Sequence, residues 1–268
     1  MKKKITFIGA GNMAEALISG FVRKGLIKRQ NIIATDISTK KLQLIKKKYK
    51  IKIEKDIIKA VKNSEVVVLC VKPQQMKIAL GEVLSAVRQS QLIVSIAAGI
   101  TTSFIEKVLN KRISVVRVMP NSPALLGAGA IAVCGGKYAK NSQVDYIIKL
   151  FQSLGKVVKL AEKNMNAVTA LSGSGPAYIF YLAEAMEKAG ASIGLTKEAA
   201  RILVSQTIYG AGKMLINTKK SSSQLRLDVT SLGGTTEAAI KYMASKEFFD
   251  IIKNTLKEAQ SRAEEIGK

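Results

Sequence analysis

Apolar residues in the first part of this chain come in short continuous runs, not in alternation. Ile5-Thr6-Phe7-Ile8 opens the series, and Val66-Val67-Val68-Leu69-Cys70-Val71 is its clearest member. A run that is apolar at every position suits a strand covered on both faces, as in a parallel sheet. The pattern predicts strands over residues 4–8, 31–35, 66–71, 92–96, 114–119, 130–134 and 156–160. Between most of them the period lengthens to that of a helix, over 13–24, 40–48, 73–87, 102–109 and 142–154. This alternation predicts an α/β, doubly wound, Rossmann-type domain with a mostly parallel sheet over residues 1–160.

The pattern changes after residue 160. Strand signals stop, and helical spacing fills 164–191, 196–217, 235–244 and 248–266, with 221–227 a short connecting helix or turn. Thr196 stands as an N-cap, with Glu198 in the first turn behind it. Residues 161–268 are therefore expected to form an all-α domain. Several of its helices carry apolar faces that one small bundle does not cover, which predicts a dimerisation domain.

Composition adjusts this picture in two places. The chain has 268 residues, 47% of them hydrophobic, enough for two modest cores. Its formal charge is +24 without a single histidine. The cations are mostly lysines spread along the chain, densest at residues 2–4 and 40–50, with no zinc-finger or RNP1 pattern. That argues for a solvated lysine-rich surface and against a specific nucleic-acid partner. Cys70 and Cys134 each sit in an apolar run and read as buried, reduced thiols. No metal-ligand cluster is evident. No apolar run nears the roughly 18 residues that cross a bilayer. The basic start Met1-Lys2-Lys3-Lys4 leads into Gly9, Gly11, Asn12 and Glu15, which do not make a secretory core. A cytoplasmic, membrane-free protein is expected.

The chemistry gathers at two glycine turns. Gly9-Ala10-Gly11-Asn12-Met13-Ala14 lies between the first strand and the first helix. Gly9 permits the tight turn, Gly11 lets a pyrophosphate approach the backbone, and Ala14 allows close helix–strand packing. The free N–H groups and dipole at the helix start favour an anion. Asp36 ends the second strand, 22 residues beyond Ala14, where a carboxylate accepts hydrogen bonds from an NAD ribose. Asp36 would repel the 2′-phosphate of NADP, whereas Lys40 and Lys41 would neutralise it, so NADPH and NADH both stay open. Asp36 also reads as a cap for the helix beginning near Ser38. Val71-Lys72-Pro73 and Ala97-Ala98-Gly99 end two further strands and should line the dinucleotide, with Lys72 near the nicotinamide ribose. Two of the four prolines stand in Met119-Pro120-Asn121-Ser122-Pro123, a rigid turn that fixes Asn121 beside the cofactor.

The second turn is Thr230-Ser231-Leu232-Gly233-Gly234-Thr235-Thr236, at the start of a helix. Successive N–H groups there form a nest for a small anion such as a carboxylate. Between the two turns, Gly173-Ser174-Gly175-Pro176 interrupts a helical pattern, which suits a bend or a close backbone approach.

Segments 8–14, 71–74, 95–99, 117–124, 171–178 and 229–236 together resemble the pyrroline-5-carboxylate reductases. The segments at 171–178 and 229–236 are the most specific. The resemblance implies reduction of 1-pyrroline-5-carboxylate to L-proline by NADPH or NADH. It implies a Rossmann domain followed by an all-helical dimerisation domain, with a homodimer or a ring of dimers. It places the substrate carboxylate on Ser231 and the N–H groups of Gly233, Gly234 and Thr235. It puts the Thr236 hydroxyl on the imine nitrogen, making Thr236 the catalytic residue, and sets Glu162 and Asp228 near the substrate. It brings Ala10, Asn12, Met13, Val71, Lys72 and Ala98 to the cofactor. Three positions depart from the family's usual pattern: Leu232 replaces Pro, Leu227 replaces Asp with Asp228 one place later, and Ser122 replaces Thr. A reductase of a related cyclic imine, or a β-hydroxy-acid dehydrogenase of the same plan, remains an alternative.

Overall fold

Strands form where the continuous apolar runs stand. The computed structural model describes residues 3–267, so the basic start at Met1 and Lys2 lies outside the described residues, as does Lys268. The chain divides into two compact units, one of residues up to 175 together with 258 onward, the other of residues 176–257.

In chain order the first unit contains β1 (Ile5–Ile8), α1 (Asn12–Arg23), β2 (Ile32–Thr35), α2 (Thr39–Tyr49), β3 (Lys52–Ile53), α3 (Ile57–Lys62) and β4 (Val66–Leu69). It continues with α4 (Met76–Val83), β5 (Leu92–Ser95), α5 (Thr102–Leu109), β6 (Ser114–Met119), β7 (Gly129–Gly135), α6 (Asn141–Phe151), β8 (Gly155–Lys159) and α7 (Met165–Val168). The eight strands make one sheet in the order β3-β2-β1-β4-β5-β6-β7-β8. All neighbours are parallel except β6 and β7, which run antiparallel. Chain order reverses direction at β1 and β4, whose register pairs Ile8 with Leu69. The carboxyl ends of those two strands form the switch point at which such sheets bind ligands.

Burial explains the apolar runs. Val66 and Val68 join the core on one face of the sheet, with Phe7, Leu17, Phe21 and Phe151. Val67 and Leu69 join the core on the other, with Met76, Leu80 and Ile105. Successive side chains point to opposite faces, so a strand buried on both has no polar position to spare. Thr6 is the exception inside β1. Its hydroxyl donates to the Ala60 carbonyl at 3.0 Å and also meets the Ser64 hydroxyl.

Two short elements were not predicted by the pattern. β3 has two residues and α3 six, too few to show a period, and α3 is started by the Asp56 side chain accepting from the Lys59 N–H at 3.1 Å. The helix expected over 73–87 is instead a 3₁₀ turn, Pro73–Gln75, followed by α4. The single helix expected over 164–191 is broken. After α7 comes a π-helical turn, Thr169–Gly173, in which the Ser174 N–H donates to the Thr169 carbonyl at 2.8 Å. α8 (Gly175–Ser192) starts afresh beyond it, with Pro176 in its first turn, where the missing N–H is harmless.

The second unit is helical, with α9 (Lys197–Asn217), α10 (Ser222–Asp228), α11 (Thr235–Ser245) and the first half of α12 (Phe248–Ile266) following α8. Its apolar faces are largely uncovered by its own chain. No residue of α8 is buried, and α9 buries only Ala200 and Val204. Phe180 and Tyr181 on α8, and Ile202, Leu203 and Tyr209 on α9, all stand exposed. Among the described residues no helix is long and apolar enough to cross a membrane.

Candidate active site

The glycine loop between β1 and α1 is fixed from below. Gly9 has φ +98°, and a Cβ there would stand 2.8 Å from the Cys70 carbonyl oxygen. No side chain fits at that contact, and the left-handed backbone disfavours one in any case. Gly11, by contrast, is the N-cap of α1 with no side-chain capping bond, and nothing lies within 4 Å of a Cβ built on it. An uncapped helix start under open space suits a pyrophosphate, so the residues present fit a dinucleotide.

Asp36 ties this loop to the end of β2. Its Oδ2 accepts from the Ala10 N–H at 2.7 Å and its Oδ1 from the Ser38 N–H at 2.7 Å. The cap of α2 is Ser38 itself, whose hydroxyl accepts from the Lys41 N–H at 3.4 Å. Beside α1, a cavity of about 380 Å³ is lined by Met13, Val71, Lys72, Pro73, Ala97, Ala98, Met119, Asn121 and Gly173, among others. Seven of the expected cofactor residues, Met13, Val71, Lys72, Pro73, Ala97, Ala98 and Asn121, line this cavity, whereas Gly9, Ala10, Gly11, Asn12 and Asp36 do not. Cys70 also lines the cavity, and burial pushes its thiol far above the usual range, so it stays protonated. Both cysteines are unpaired.

Asn121 lines the cavity but spends both ends of its amide on the backbone. Its Nδ2 donates to the Ser172 carbonyl and its Oδ1 accepts from the Ala130 N–H, each at 3.0 Å. It shapes the wall and clamps the turn that holds Gly173 beside Met119.

Glu162 is anchored at the start of α5. Its carboxylate accepts from the Thr102 N–H at 2.7 Å and the Thr102 hydroxyl at 2.6 Å, at the start of α5. It stands 3.7 Å from the guanidinium of Arg117, which is 1% exposed within β6. Arg117 Nη2 donates to Asn166 Oδ1 at 3.3 Å. Burial draws the Arg117 pKa down, and the Glu162 charge opposes that shift. Nearby, burial chiefly, with the Glu162 charge, pushes the Cys134 thiol up to about 12. Arg117 has no assigned role in the sequence reading. The signal was there, as one cation inside the otherwise apolar run of β6.

The second turn lies wholly in the helical unit. Gly233 has φ +72° in open space, and its N–H donates to Glu237 Oε2 at 2.7 Å. The Gly234 N–H donates to the Ser231 carbonyl at 3.0 Å, and Gly234 is the N-cap of α11 without a side-chain cap. A Cβ on Gly234 would meet the Ser231 hydroxyl oxygen at 2.5 Å. Ser231, Gly233, Gly234, Thr235 and Thr236 therefore converge on one helix start. The Glu237 carboxylate is held below its usual pKa, first by the Gly233 N–H and then by Lys241. Asp228 ends α10, where it accepts from Lys220 Nζ at 2.8 Å and Gln224 Nε2 at 2.9 Å, with Lys220 the main cause of its lowered pKa. Leu232, at the tip, is 96% exposed.

The sequence profile described as pyrroline-5-carboxylate reductase dimerisation matches residues 162–266. Residues 4–99 match the family described as NADP oxidoreductase coenzyme F420-dependent. A pyrroline-5-carboxylate reductase of Pseudomonas aeruginosa is 40% identical over 266 residues, covering 99% of this chain and 97% of its own length. The chain belongs to the pyrroline-5-carboxylate reductase family. A solved reductase of this name from Coxiella burnetii is 38% identical and superposes with a TM-score of 0.92 over 100% of both chains. A pyrroline carboxylate reductase from Plasmodium falciparum, solved with NADP bound, is 27% identical with a TM-score of 0.90, over 99% and 98% of the two chains. The Rossmann-type sheet followed by a helical region is thus the family's architecture, and the cofactor class is NAD(P).

Proposed function

We infer that this protein reduces the carbon–nitrogen double bond of 1-pyrroline-5-carboxylate, giving L-proline in the last step of proline biosynthesis. One observation carries the reading. The chain is 40% identical over nearly its full length to a reductase of that name, and it carries both a glycine loop and a second uncapped glycine turn at a helix start.

When bound, the nicotinamide cofactor supplies the hydride. The chain's own residues position and hold. The Ser231 hydroxyl and the Thr235 N–H hold the substrate carboxylate at the start of α11. The Gly233 N–H joins them once the substrate displaces Glu237 from it, and the Gly234 N–H completes the nest by turning from the Ser231 carbonyl. The Thr236 hydroxyl orients the ring nitrogen. A protonated imine needs no strong acid, and a chain without histidine loses nothing by it. Glu162 and Asp228 are held in place by Thr102 and by Lys220 and Gln224, and each carboxylate keeps acceptor positions for a polar group of the substrate.

The uncovered faces of α8 and α9 support a homodimer, which the family's rings of dimers extend. Two unpaired thiols support a cytoplasmic location. The +24 charge is read as a solvated lysine surface.

The test is cofactor oxidation followed by absorbance with 1-pyrroline-5-carboxylate as substrate. Turnover is expected, and Thr236→Ala should lower kcat about 10- to 100-fold, the range for losing one hydrogen bond made at the transition state. A folded protein that binds a dinucleotide yet turns over nothing overturns the assignment. Unchanged turnover in the variant removes Thr236 from the mechanism.

A further inference from the structure

The loop that follows β5 forms part of the cavity wall through Ala97 and Ala98, whereas Gly99, the next residue, does not line the cavity. Among the described residues, no hydrogen bond holds Ala98, Gly99 or Ile100. The position of the loop therefore depends on what it packs against. Gly99 is buried, and the end of α12 is what lies on it. A Cβ on Gly99 would stand 2.6 Å from the Ala263 carbonyl oxygen, 2.9 Å from the Gly267 nitrogen and 3.1 Å from Ile266 Cγ2. The contact is mutual, because a Cβ on Gly267 would run into the Gly99 carbonyl oxygen. Two stretches of backbone, far apart in sequence, thus meet directly, and both positions are glycine.

The last turns of α12 are patterned for this contact. Ala259, Gln260, Ala263, Ile266 and Gly267 turn away from water at helical spacing, while Ser261, Arg262, Glu264 and Glu265 stay exposed. Ala263 is 2% exposed. These turns belong to the same compact unit as the sheet, although α12 begins in the helical one.

We propose that the end of α12, through Gly267, is a brace that presses on Gly99 and fixes Ala97 and Ala98 in the wall of the dinucleotide cavity. Gly99 and Gly267 are then positioning residues for hydride transfer, since neither lines the cavity. The proposal rests on the dinucleotide-reductase reading above and deepens it. Close-packed backbone transmits a displacement that a flexible side chain would absorb. Gly99 has φ +75°, so a side chain there meets backbone strain as well as the contact. Gly267 is not among the glycines of positive φ, so a methyl group added there acts through the contact alone. It has two outlets. It drives Gly99 toward the cavity, or it lifts the end of α12 and leaves the loop unsupported. Ala97 and Ala98 lose their place in either case.

Isothermal titration with NADPH and with NADH, followed by steady-state kinetics, tests the brace in the full-length Gly267→Ala variant. Affinity for whichever dinucleotide the unaltered enzyme binds should fall about tenfold. At saturating cofactor kcat should fall at least about tenfold, because a misplacement of about 1 Å at a reacting centre can cost about 100-fold. KM for 1-pyrroline-5-carboxylate should stay within about twofold, since the substrate turn at Gly233 and Gly234 is untouched. Gly267→Val, larger at the same contact, should lose more. Glu265→Ala removes the Arg262 ion pair on the exposed side of the same turns and should leave affinity and kcat as they are. Native dinucleotide affinity in both Gly267 variants overturns the proposal. So does a loss of affinity that Glu265→Ala shares, which would mean that the stability of these turns, and not the contact with Gly99, is what matters. If the Gly267 variants weaken dinucleotide binding but the unaltered enzyme does not reduce 1-pyrroline-5-carboxylate, the substrate assignment fails and the brace stands. If the unaltered enzyme reduces it and the Gly267 variants match it, the brace fails and the assignment stands.

Discussion

The two units of this chain solve the problem of burial in opposite ways. In the sheet unit, β1, β4, β5 and β6 are buried at every position, and the two faces carry separate cores. In the helical unit, α8 buries nothing and α9 buries two residues. The first unit encloses its own core. The second has the composition of an interior but the exposure of a surface, as its match to a dimerisation family leads one to expect. The same contrast holds for the two glycine turns. Gly9 is walled in by the Cys70 carbonyl, whereas Gly233 has the same sign of φ and nothing near it. One loop is shaped by the sheet beneath it, and the other by its own hydrogen bonds.

The sharpest way to break this comparison is to charge the uncovered helices. Phe180 is 66% exposed on α8. If a second copy covers that face, Phe180→Asp buries an unpaired carboxylate, at a cost of about 3–5 kcal/mol. Light scattering should show the dimer giving way to monomer, with dimer affinity weakened by more than about 100-fold. An unchanged dimer would mean that this face is not the interface.

A glycine pair sharpens the comparison next. Gly9→Ala adds a Cβ at 2.8 Å from a backbone oxygen that cannot move without shifting β4. Adding φ strain of about 1–2 kcal/mol to that clash, it should weaken dinucleotide affinity by more than about 30-fold in calorimetry. Gly233→Ala meets only the φ strain and should cost about 1–2 kcal/mol or less. Equal losses in the two variants would show that the walled and open turns are not different in kind.

The same contrast governs what could be read in the sequence. The sheet strands were legible because burial on both faces leaves a continuous apolar run, as in β4, and the glycine loop because it sits at a strand end. β3 and α3 were not, because two and six residues carry no period. The break at Thr169–Gly173 was hidden by apolar spacing on both sides, although Gly173 and Pro176 marked its place. In the candidate site, which residue types stand at the strand ends was legible, but how they spend their hydrogen bonds was not. Glu162, Asn121 and Asp228 each look like ligands by position, and each also has protein partners: Thr102, Ser172 and Ala130, and Lys220 and Gln224. The i,i+4 pair of Gln224 and Asp228 is a local pattern, but no local pattern encodes Thr102 with Glu162 or Asn121 with Ser172, 60 and 51 residues apart. Arg117 shows the converse, since a lone cation in an apolar run announces a buried partner without saying which.

The smallest effect tests whether the glycine-loop helix leans on surface charge as well as on its core. Glu15, in the first turn of α1, accepts from Lys48 Nζ at 2.7 Å and from the Tyr49 hydroxyl at 2.9 Å, joining α1 to the end of α2. Lys48 lowers the Glu15 pKa most, partial burial opposes it, and Tyr49 lowers it further. A carboxylate with a lowered folded-state pKa stabilises the fold above its unfolded value, near 4.3. That contribution fades as pH falls through the folded-state pKa. The pair is partly exposed and screened by water, so its worth is below about 1 kcal/mol. Glu15→Gln should therefore lower chemical-denaturation stability by a few tenths of a kcal/mol at pH 7, and the difference should shrink well below pH 4.3. A loss of several kcal/mol, or one that persists in acid, would mean that α1 is held by this contact and not by Leu17, Ile18 and Phe21 beneath it, and that the sheet unit does not enclose its core as fully as its burial implies.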